Sequence, residues 1–173
     1  IINTAINFRE RVIEFIPEGL TGIKLTDDFV KRDQVISDTE KVVLVGLTNR
    51  KESAQAHKDL GLCSYRVTVI NGKLVIAGYT EKALNMAVGD LIKHIKNNIT
   101  EDGSFTFEEN FLIEGTSNEA LLSALPMLEN SSVRAIHDMG DECQLVIMSD
   151  ATPEKFDKYK AQLKEKGYEE YAV

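Results

Sequence analysis

The sequence predicts an α/β protein in which helices pack on a sheet, followed by a small β-β-α-β unit. Apolar residues recur at helical spacing in residues 3–16 and again in residues 84–95. A continuous apolar run of strand length spans residues 42–46, and a hairpin pattern occurs in each half of the chain. Helices and strands that alternate in this way are typical of the α/β class.

Composition and charge exclude two kinds of partner. The chain has 173 residues, of which 43% are hydrophobic and 28% charged, enough for one domain or two small ones. No stretch approaches the roughly 20 consecutive apolar residues that span a bilayer. The net charge of -8 is spread along the chain, whereas binding to phosphate backbones needs clustered Lys and Arg. We therefore expect no membrane-spanning segment and no nucleic-acid partner.

The first unit is predicted to cover residues 1–114. Residues 3–16 form an amphipathic helix. Residues 42–46 are apolar without alternation, which is typical of a strand covered on both faces, so we expect this strand at the centre of the sheet. Residues 53–60 form a short helix, which Gly61 ends in the left-handed conformation.

A hairpin centred on Asn71-Gly72 is the most specific local pattern in this unit. Residues 65–69 alternate between apolar and polar, the Asn-Gly pair supplies the positive φ angles of a two-residue turn, and residues 74–77 return. Thr80 caps the next helix. Its apolar residues fall on one face and are predicted to be buried: Leu84, Ala87, Val88, Leu91, Ile92 and Ile95.

A linker is predicted at residues 115–118, which are small and polar. Before it, residues 105–107 and 111–113 are expected to be extended and to close the first unit. Beyond it, residues 119–173 form the second unit, which begins with a hairpin over residues 133–148.

The second unit continues with a helix capped by Thr152, with Pro153 at its first position, and Gly167 ends this helix. We expect its buried stripe to be Phe156, Tyr159 and Leu163. Residues 168–173 are predicted to return as a strand. A unit of this size has a small core, so we expect it to pack on neighbouring sequence.

Candidate metal ligands are scattered along the chain. The histidines form no HxxxH or HxH pair, and we interpret them as isolated surface residues: His57, His94 and His137. The acidic turn lacks the spacing of a calcium loop, and we interpret it as solvated: Asp138, Asp141 and Glu142. Cys63 and Cys143 leave a disulfide open, although two buried thiols are favoured. The sequence predicts no metal and no cofactor.

No catalytic residue is predicted either. The chain has no GxSxG motif, no phosphate-cradling glycine pattern and no carboxylate pair that stands out. Thr48, Asn49 and Arg50 follow the first strand, where open α/β sheets often bind ligands, so they are the ligand-binding candidates. The favoured alternative is that Thr48 and Asn49 cap the next helix and Arg50 is structural.

A set of short runs in the first unit occurs in a recognisable order: residues 42–50, Tyr65-Arg66-Val67, residues 72–78 and Ala87-Val88. Through these runs the first unit resembles the non-catalytic N-terminal domain that precedes the barrel in hexosaminidases and α-glucuronidases. The resemblance covers residues 1–114 and concerns the fold. The catalytic barrel and its Asp-Glu pair are not part of this sequence, so the resemblance implies no hydrolase activity for the segment itself.

In the second unit, residues 148–152 lead into a series of apolar, aromatic and glycine positions: Phe156, Tyr159, Leu163, Gly167-Tyr168 and Tyr171. In these residues the second unit is similar to a segment of exported multidomain proteins of clostridial type. In such proteins a hydrolase-type domain, for instance of metallo-β-lactamase fold, can follow. The resemblance implies an extracellular or cell-envelope location. Because the chain opens at Ile1 without a methionine, we expect it to be a segment of a longer protein.

We expect a non-catalytic accessory or scaffolding module of a larger exported protein, associated with carbohydrate by resemblance. The alternatives are a glycan-binding module, or part of a hydrolase whose catalytic domain lies outside this segment. Sugars stack on exposed aromatic rings, whereas this chain has no Trp and most of its Phe and Tyr look buried, which favours the accessory role. The expected partners are neighbouring domains of the same chain, with a glycan or a second copy as alternatives.

Overall fold

The computed structural model describes residues 1–14, 24–27, 37, 39–138 and 144–170. The chain divides into two compact units. The first consists of Ile1–Leu60 with Ser64–Ser117, and the second of Gly61–Cys63 with Asn118–Val173. Helices and a mixed sheet confirm the predicted α/β class. No helix in the described ranges is long and apolar enough to cross a membrane.

The first unit is built on a four-stranded mixed sheet. Its described elements are α1 (Ile2–Ile13), β1 (Val43–Val45), α2 (Lys51–His57), β2 (Ser64–Ile70), β3 (Lys73–Gly78), α3 (Glu81–Asn98) and β4 (Leu112–Thr116). The strand order is β1-β3-β2-β4. β1 runs parallel to β3, whereas β2 is antiparallel to both β3 and β4.

β1 lies at an edge of this sheet, so the predicted central position of residues 42–46 is wrong. The two central strands are β3 and β2, and every residue of β3 is buried. Val43 in β1 is 43% exposed, but Leu44 packs with the core on one face and Val45 with the core on the other. An edge strand covered on both faces therefore carries the same apolar run as a central one.

Helices cover the sheet on both faces. On one face α1 and α3 supply most of a core that includes Phe8, Leu84, Leu91, Val67 and Ile76. On the other face α2 packs over a smaller core of Leu44, Ala56, Leu60, Val75 and Ala77. Alternate residues of β3 point to the two cores, as the two-residue period of a strand requires.

The hairpin and the long helix are confirmed. Asn71 and Gly72 both have positive φ, 50° and 71°, and form the two-residue turn between β2 and β3. The Thr80 hydroxyl accepts a hydrogen bond from the Ala83 backbone N–H at 3.1 Å. Every residue of the predicted α3 stripe is buried.

The two other helices of this unit differ from their predicted bounds. α1 spans Ile2–Ile13 rather than residues 3–16, and residues 15–23 lie outside the described ranges. α2 ends at His57, and the residue with positive φ after it is Asp59, at 59°, not Gly61. Asp tolerates this conformation better than most residues, so Asp59 makes the turn that we assigned to glycine.

The predicted linker at residues 115–118 is wrong in its first half. Gly115 and Thr116 belong to β4, where they pair with Tyr65 and Ser64 of β2. Gly115 is small because the Tyr65 ring lies where a Cβ would stand. Residues 105–107 form no strand, and the Phe105 and Phe107 rings instead pack against the α1-α3 core.

The second unit contains a short helix, a hairpin and a longer helix in its described part. Its elements are α4 (Ala120–Ser123), β5 (Ser132–Asp138), β6 (Gln144–Ser149) and α5 (Pro153–Glu165). β5 and β6 pair antiparallel as predicted, and residues 139–143 of their turn lie outside the described ranges. Thr152 accepts from the Lys155 N–H at 3.3 Å, and Gly167, with φ of 86°, follows the helix, so both predicted ends are confirmed.

Two expectations for the second unit are wrong. No residue of α5 is buried, and Phe156 is 50% exposed with the Lys160 ammonium 5.4 Å from its ring centre. Residues 168–170 form no strand, and residues 171–173 lie outside the described ranges. An amphipathic pattern predicts a helix, but burial of its stripe needs a core large enough to receive it.

Candidate functional site

The loop after β1 holds the predicted ligand-binding candidates and is closed by internal hydrogen bonds. The Ser53 hydroxyl donates to the Gly46 carbonyl at 2.7 Å and accepts from the Thr48 N–H at 2.9 Å. The Arg50 N–H donates to the Thr48 hydroxyl at 3.3 Å. Asn49 is exposed. The loop is thus held in one shape by Ser53 from the first turn of α2.

The proposed capping of α2 by Thr48 and Asn49 is wrong. Arg50 occupies the N-cap position, and no side chain there accepts a hydrogen bond from the helix. The Arg50 guanidinium reaches Glu40 at 3.2 Å on the surface. Its other terminal nitrogen, Nη1, is buried and meets no hydrogen-bond acceptor within the described ranges.

A buried ion pair joins α2 to β3, and the sequence analysis missed it. Nζ of Lys73 lies 3.1 Å from Oε1 of Glu52, and each side chain is 2% exposed. The Asn71 amide donates to the same Glu52 oxygen at 3.2 Å. Alternation along β3 was the available signal, because Lys73 shares the inward face of Val75 and Ala77.

Desolvation opposes ionisation of the Glu52 carboxyl. This effect of desolvation is outweighed by hydrogen bonds to the carboxylate and by the charge of Lys73. The hydrogen bonds come from the backbone N–H of Glu52 itself, from Lys73 and from Asn71. The pKa of Glu52 is therefore below its ordinary value, and this carboxyl is ionised at neutral pH.

His57 is a core residue, not the surface residue that we predicted. It is 4% exposed. Its Nδ1 lies 2.7 Å from the Ser53 carbonyl and donates to it, so Nε2 accepts from the Gly78 N–H at 3.3 Å. Burial lowers the pKa of the imidazole by penalising its charged form. His57 is therefore neutral at pH 7 and positions the end of α2 on the end of β3.

Arg66 of β2 also holds the end of α2. Its Nη1 donates to the carbonyls of Ala56 and Lys58 at 3.1 and 3.2 Å, and its Nε donates to Glu114 at 2.6 Å. A cation at this position is favourable because the last carbonyls of a helix have no partner within it. The polar groups between α2 and the sheet are thus used to hold the helix in place.

Metal ligands do not converge in the part of the chain that the structure describes. No group of three His, Cys, Asp or Glu side chains within those ranges could hold a metal ion. Asp141, Glu142 and Cys143 lie outside them, as does the side chain of His137. Cys63 is buried, with its sulfur 3.7 Å from the Glu119 carbonyl.

A second candidate site, which the sequence analysis did not identify, lies beside the C-terminal half of α3. We call it the aromatic concavity. It measures about 550 Å³ and is lined by residues of α3 and of the following loop, chiefly His94, Asn98, Phe105, Thr106, Glu108, Asn110 and Phe111. The His94 ring meets Phe105 and Phe111 edge to face, with centroids 5.7 and 5.0 Å apart.

A hydrogen-bonded turn shapes one side of the aromatic concavity. The Thr100 hydroxyl donates to Asp102, and the Ser104 hydroxyl and backbone N–H donate to the same carboxylate at 2.8 and 3.1 Å. The Thr100 hydroxyl, followed by the Ser104 donors, holds the pKa of Asp102 below its ordinary value. Gly103 completes the turn with φ of 79°. The turn is therefore ordered by its own side chains.

Comparisons with known proteins identify no relative from which the role of either site could be inferred. No family model, curated protein or solved structure matches the chain. Function must therefore be argued from the contacts of the chain itself.

Proposed function

We propose that this chain is a non-catalytic accessory module that orients neighbouring domains of a larger exported protein. The observation that carries the proposal is that the polar side chains beneath α2 are bonded to one another and to the backbone. Ser53 uses its hydroxyl as donor and acceptor, and His57 uses both ring nitrogens. These are the chemically versatile residues nearest to the loop where an α/β sheet would bind a substrate.

Burial supports the same reading. A general acid or base must lie within hydrogen-bond reach of a substrate atom. Glu52, Lys73 and His57 are all buried, and each already has a partner within the fold. A substrate would meet them only after α2 had left the sheet. Their contacts are those of structural residues.

Exposed apolar side chains supply surface for neighbouring domains. In the first unit these include Ile2 on α1, Val43 on β1 and Leu112 on β4, the last two on the edge strands of the sheet. In the second unit Leu145, Ile147 and Phe156 are exposed. In this proposal these side chains are the points at which the neighbouring domains contact each unit. Covalent neighbours are the proposed partners, with a second copy of the chain as the alternative.

The proposed location is extracellular or in the cell envelope, and the proposed substrate area of the parent is carbohydrate. The carbohydrate area rests on the resemblance of residues 42–50 and 72–78 to the domain that precedes the barrel in hexosaminidases and α-glucuronidases. The location rests on the similarity of residues 148–152 and the following helix to a segment of exported multidomain proteins of clostridial type. In this proposal any hydrolase chemistry belongs to a catalytic domain outside the segment.

The test compares the chain with its full-length parent on chromogenic hexosaminides, glucuronides, phosphodiesters and lactams. We expect no turnover by the chain alone and no stoichiometric metal by elemental analysis. Glu52→Gln and His57→Gln are the informative variants, and Glu81→Gln on the exposed side of α3 is the matched control. Turnover that Glu52→Gln or His57→Gln abolishes and Glu81→Gln leaves intact would overturn the accessory role.

A further inference from the structure

We propose that the aromatic concavity is a binding site for a small, uncharged polyhydroxylated ligand of the saccharide type. This goes beyond the accessory role, because it assigns a ligand to a surface on the opposite side of the sheet from the bonded residues of α2. At about 550 Å³ the concavity lies within the range of small-molecule sites, which is about 300 to 1,000 Å³.

The lining combines two kinds of surface that a sugar needs. A sugar ring presents an apolar C–H face and a rim of hydroxyl groups. Phe105 and Phe111 are half-buried and line the concavity, and the ring of His94 lies against both. Amide, hydroxyl and carboxylate groups stand around these rings and can bond the hydroxyl rim.

Three polar side chains of the lining are available to a ligand. Thr106, Glu108 and Asn110 are exposed, and none makes a side-chain hydrogen bond within the described part of the chain. They therefore bond water and can exchange it for hydroxyl groups without losing an internal contact. This differs from the α2 face, where the corresponding groups already have partners.

The concavity is also ordered before any ligand arrives. Phe107 meets both Phe105 and Phe111 edge to face, with centroids 4.7 and 5.0 Å apart, and all three rings pack against the α1-α3 core. Thr100 and Ser104 of the bonded turn also line the concavity. A preformed site loses less conformational entropy on binding than a mobile one.

Charge decides between neutral and anionic ligands. The segment from residue 100 to residue 111 contains Glu101, Asp102, Glu108 and Glu109 and no Lys or Arg. Uronic acids and phosphates would therefore be repelled. Only one of these carboxylates, that of Glu108, is among the lining residues, and its oxygens can accept hydrogen bonds from hydroxyl groups.

NMR titration of the intact chain tests the site with defined probes. The neutral probes are maltose, cellobiose and N,N′-diacetylchitobiose, with glucuronate as anion and choline as cation. We expect saturable shifts at the side-chain amides of Asn98 and Asn110 with at least one neutral disaccharide, and a dissociation constant in the millimolar range. Absence of saturable shifts with every neutral probe overturns the proposal, and so does tighter binding of choline or glucuronate.

Paired variants locate the binding. Asn110→Ala should weaken the neutral disaccharide about fivefold, as expected for loss of one hydrogen bond. Asn97→Ala, on α3 and outside the lining, is the matched control and should leave the dissociation constant unchanged. Unchanged thermal midpoints show that both variants fold. Equal affinities of the two variants overturn the assignment. Failure here leaves the non-catalytic role standing, since that role is tested by turnover.

Discussion

Nζ of Lys73 and Oε1 of Glu52 are 3.1 Å apart beneath α2, in a pair whose side chains are each 2% exposed. Removing two such charges from water is costly, and their attraction offsets this cost only with good geometry and further hydrogen bonds. Asn71 supplies one of these bonds. We interpret the pair as a device that specifies where α2 docks on β3.

Replacing one partner of this pair should destabilise the first unit strongly. Glu52→Ala removes the carboxylate that faces the buried Lys73 ammonium. We expect the free energy of unfolding to fall by about 3 to 5 kcal/mol, the usual cost of breaking a buried ion pair from one side. Urea denaturation followed by circular dichroism measures the loss.

Two controls separate burial from charge alone. The double variant Glu52→Met with Lys73→Met removes both charges and should recover most of the stability lost by Glu52→Ala. Glu40→Gln breaks the surface pair with Arg50, in which Glu40 is 51% exposed, and should cost about 1 kcal/mol or less. If Glu52→Ala lowers the free energy of unfolding no more than Glu40→Gln does, the buried pair contributes no more to stability than the surface pair.

His57 should make stability depend on pH near neutrality. Burial lowers its folded pKa, whereas in the unfolded chain the imidazole titrates near about 6.5. Between these two values the unfolded chain binds more protons, so the free energy of unfolding falls as pH drops below about 6.5 and levels off below the folded pKa.

The measurement is urea unfolding of the wild type and of His57→Gln at pH values between about 5 and 8. We expect the variant to be less stable at neutral pH and to lack the slope that His57 contributes. Glu52 contributes at lower pH. Because its pKa is lower in the folded than in the unfolded chain, it stabilises the fold at pH values above its unfolded pKa, and this contribution is lost as the pH falls through its folded pKa. Identical slopes in the two proteins would contradict our assignment of His57.

Local patterns predicted the parts of the fold that depend on neighbouring residues in sequence. The Asn71-Gly72 turn and the Thr80 cap need only a few adjacent residues, and both are confirmed. The position of β1 in the sheet depends on which strand it pairs with. A local sequence pattern carries no information about that pairing. Apolar residues on both of its faces indicate coverage by helices, and a central and an edge strand share that property.

The candidate sites show the same division. The loop of Thr48, Asn49 and Arg50 was located correctly after a strand, but its bond to Ser53 depends on how α2 turns back over the sheet. His57 carries a polar side chain, so we assigned it to the surface, although the packing of α2 places it inside. The aromatic concavity arises because a loop folds back on α3. The sequence did not indicate this, because the alternation of Phe105 and Phe107 with polar residues is also the pattern of a strand.

Gly72 should be required for the hairpin because of its backbone conformation alone. Its φ is 71°, and a Cβ there would meet no atom within 4 Å. Gly72→Val should lower the free energy of unfolding by about 1 kcal/mol or more, since a β-branched residue is strained at positive φ. Gly72→Asn should cost less, because Asn tolerates this region. Equal thermal midpoints for wild type and Gly72→Val would contradict the two-residue turn.

Gly115 should be required for a different reason, namely the ring of Tyr65 on the neighbouring strand. A Cβ at Gly115 would overlap the hydroxyl end of that ring, and the same hydroxyl donates to Asp90 of α3. Burial and this bond raise the pKa of Tyr65 to about 12, so the phenol keeps its proton at neutral pH. Gly115→Ala should therefore cost about 1 to 3 kcal/mol through overpacking.

Gly89 in α3 offers the matched substitution. A Cβ there meets nothing within 4 Å, and Gly in a helix interior is less favourable than Ala by about 0.5 to 1 kcal/mol. Gly89→Ala should thus stabilise the first unit while Gly115→Ala destabilises it. The double variant Gly115→Ala with Tyr65→Ala should cost less than the sum of the two single changes, because removing the ring relieves the overlap that the added methyl group creates. We expect urea denaturation to show changes of opposite sign in the free energy of unfolding for the two glycine variants. Two losses of equal size would mean that the Tyr65 ring does not occupy the space beside Gly115.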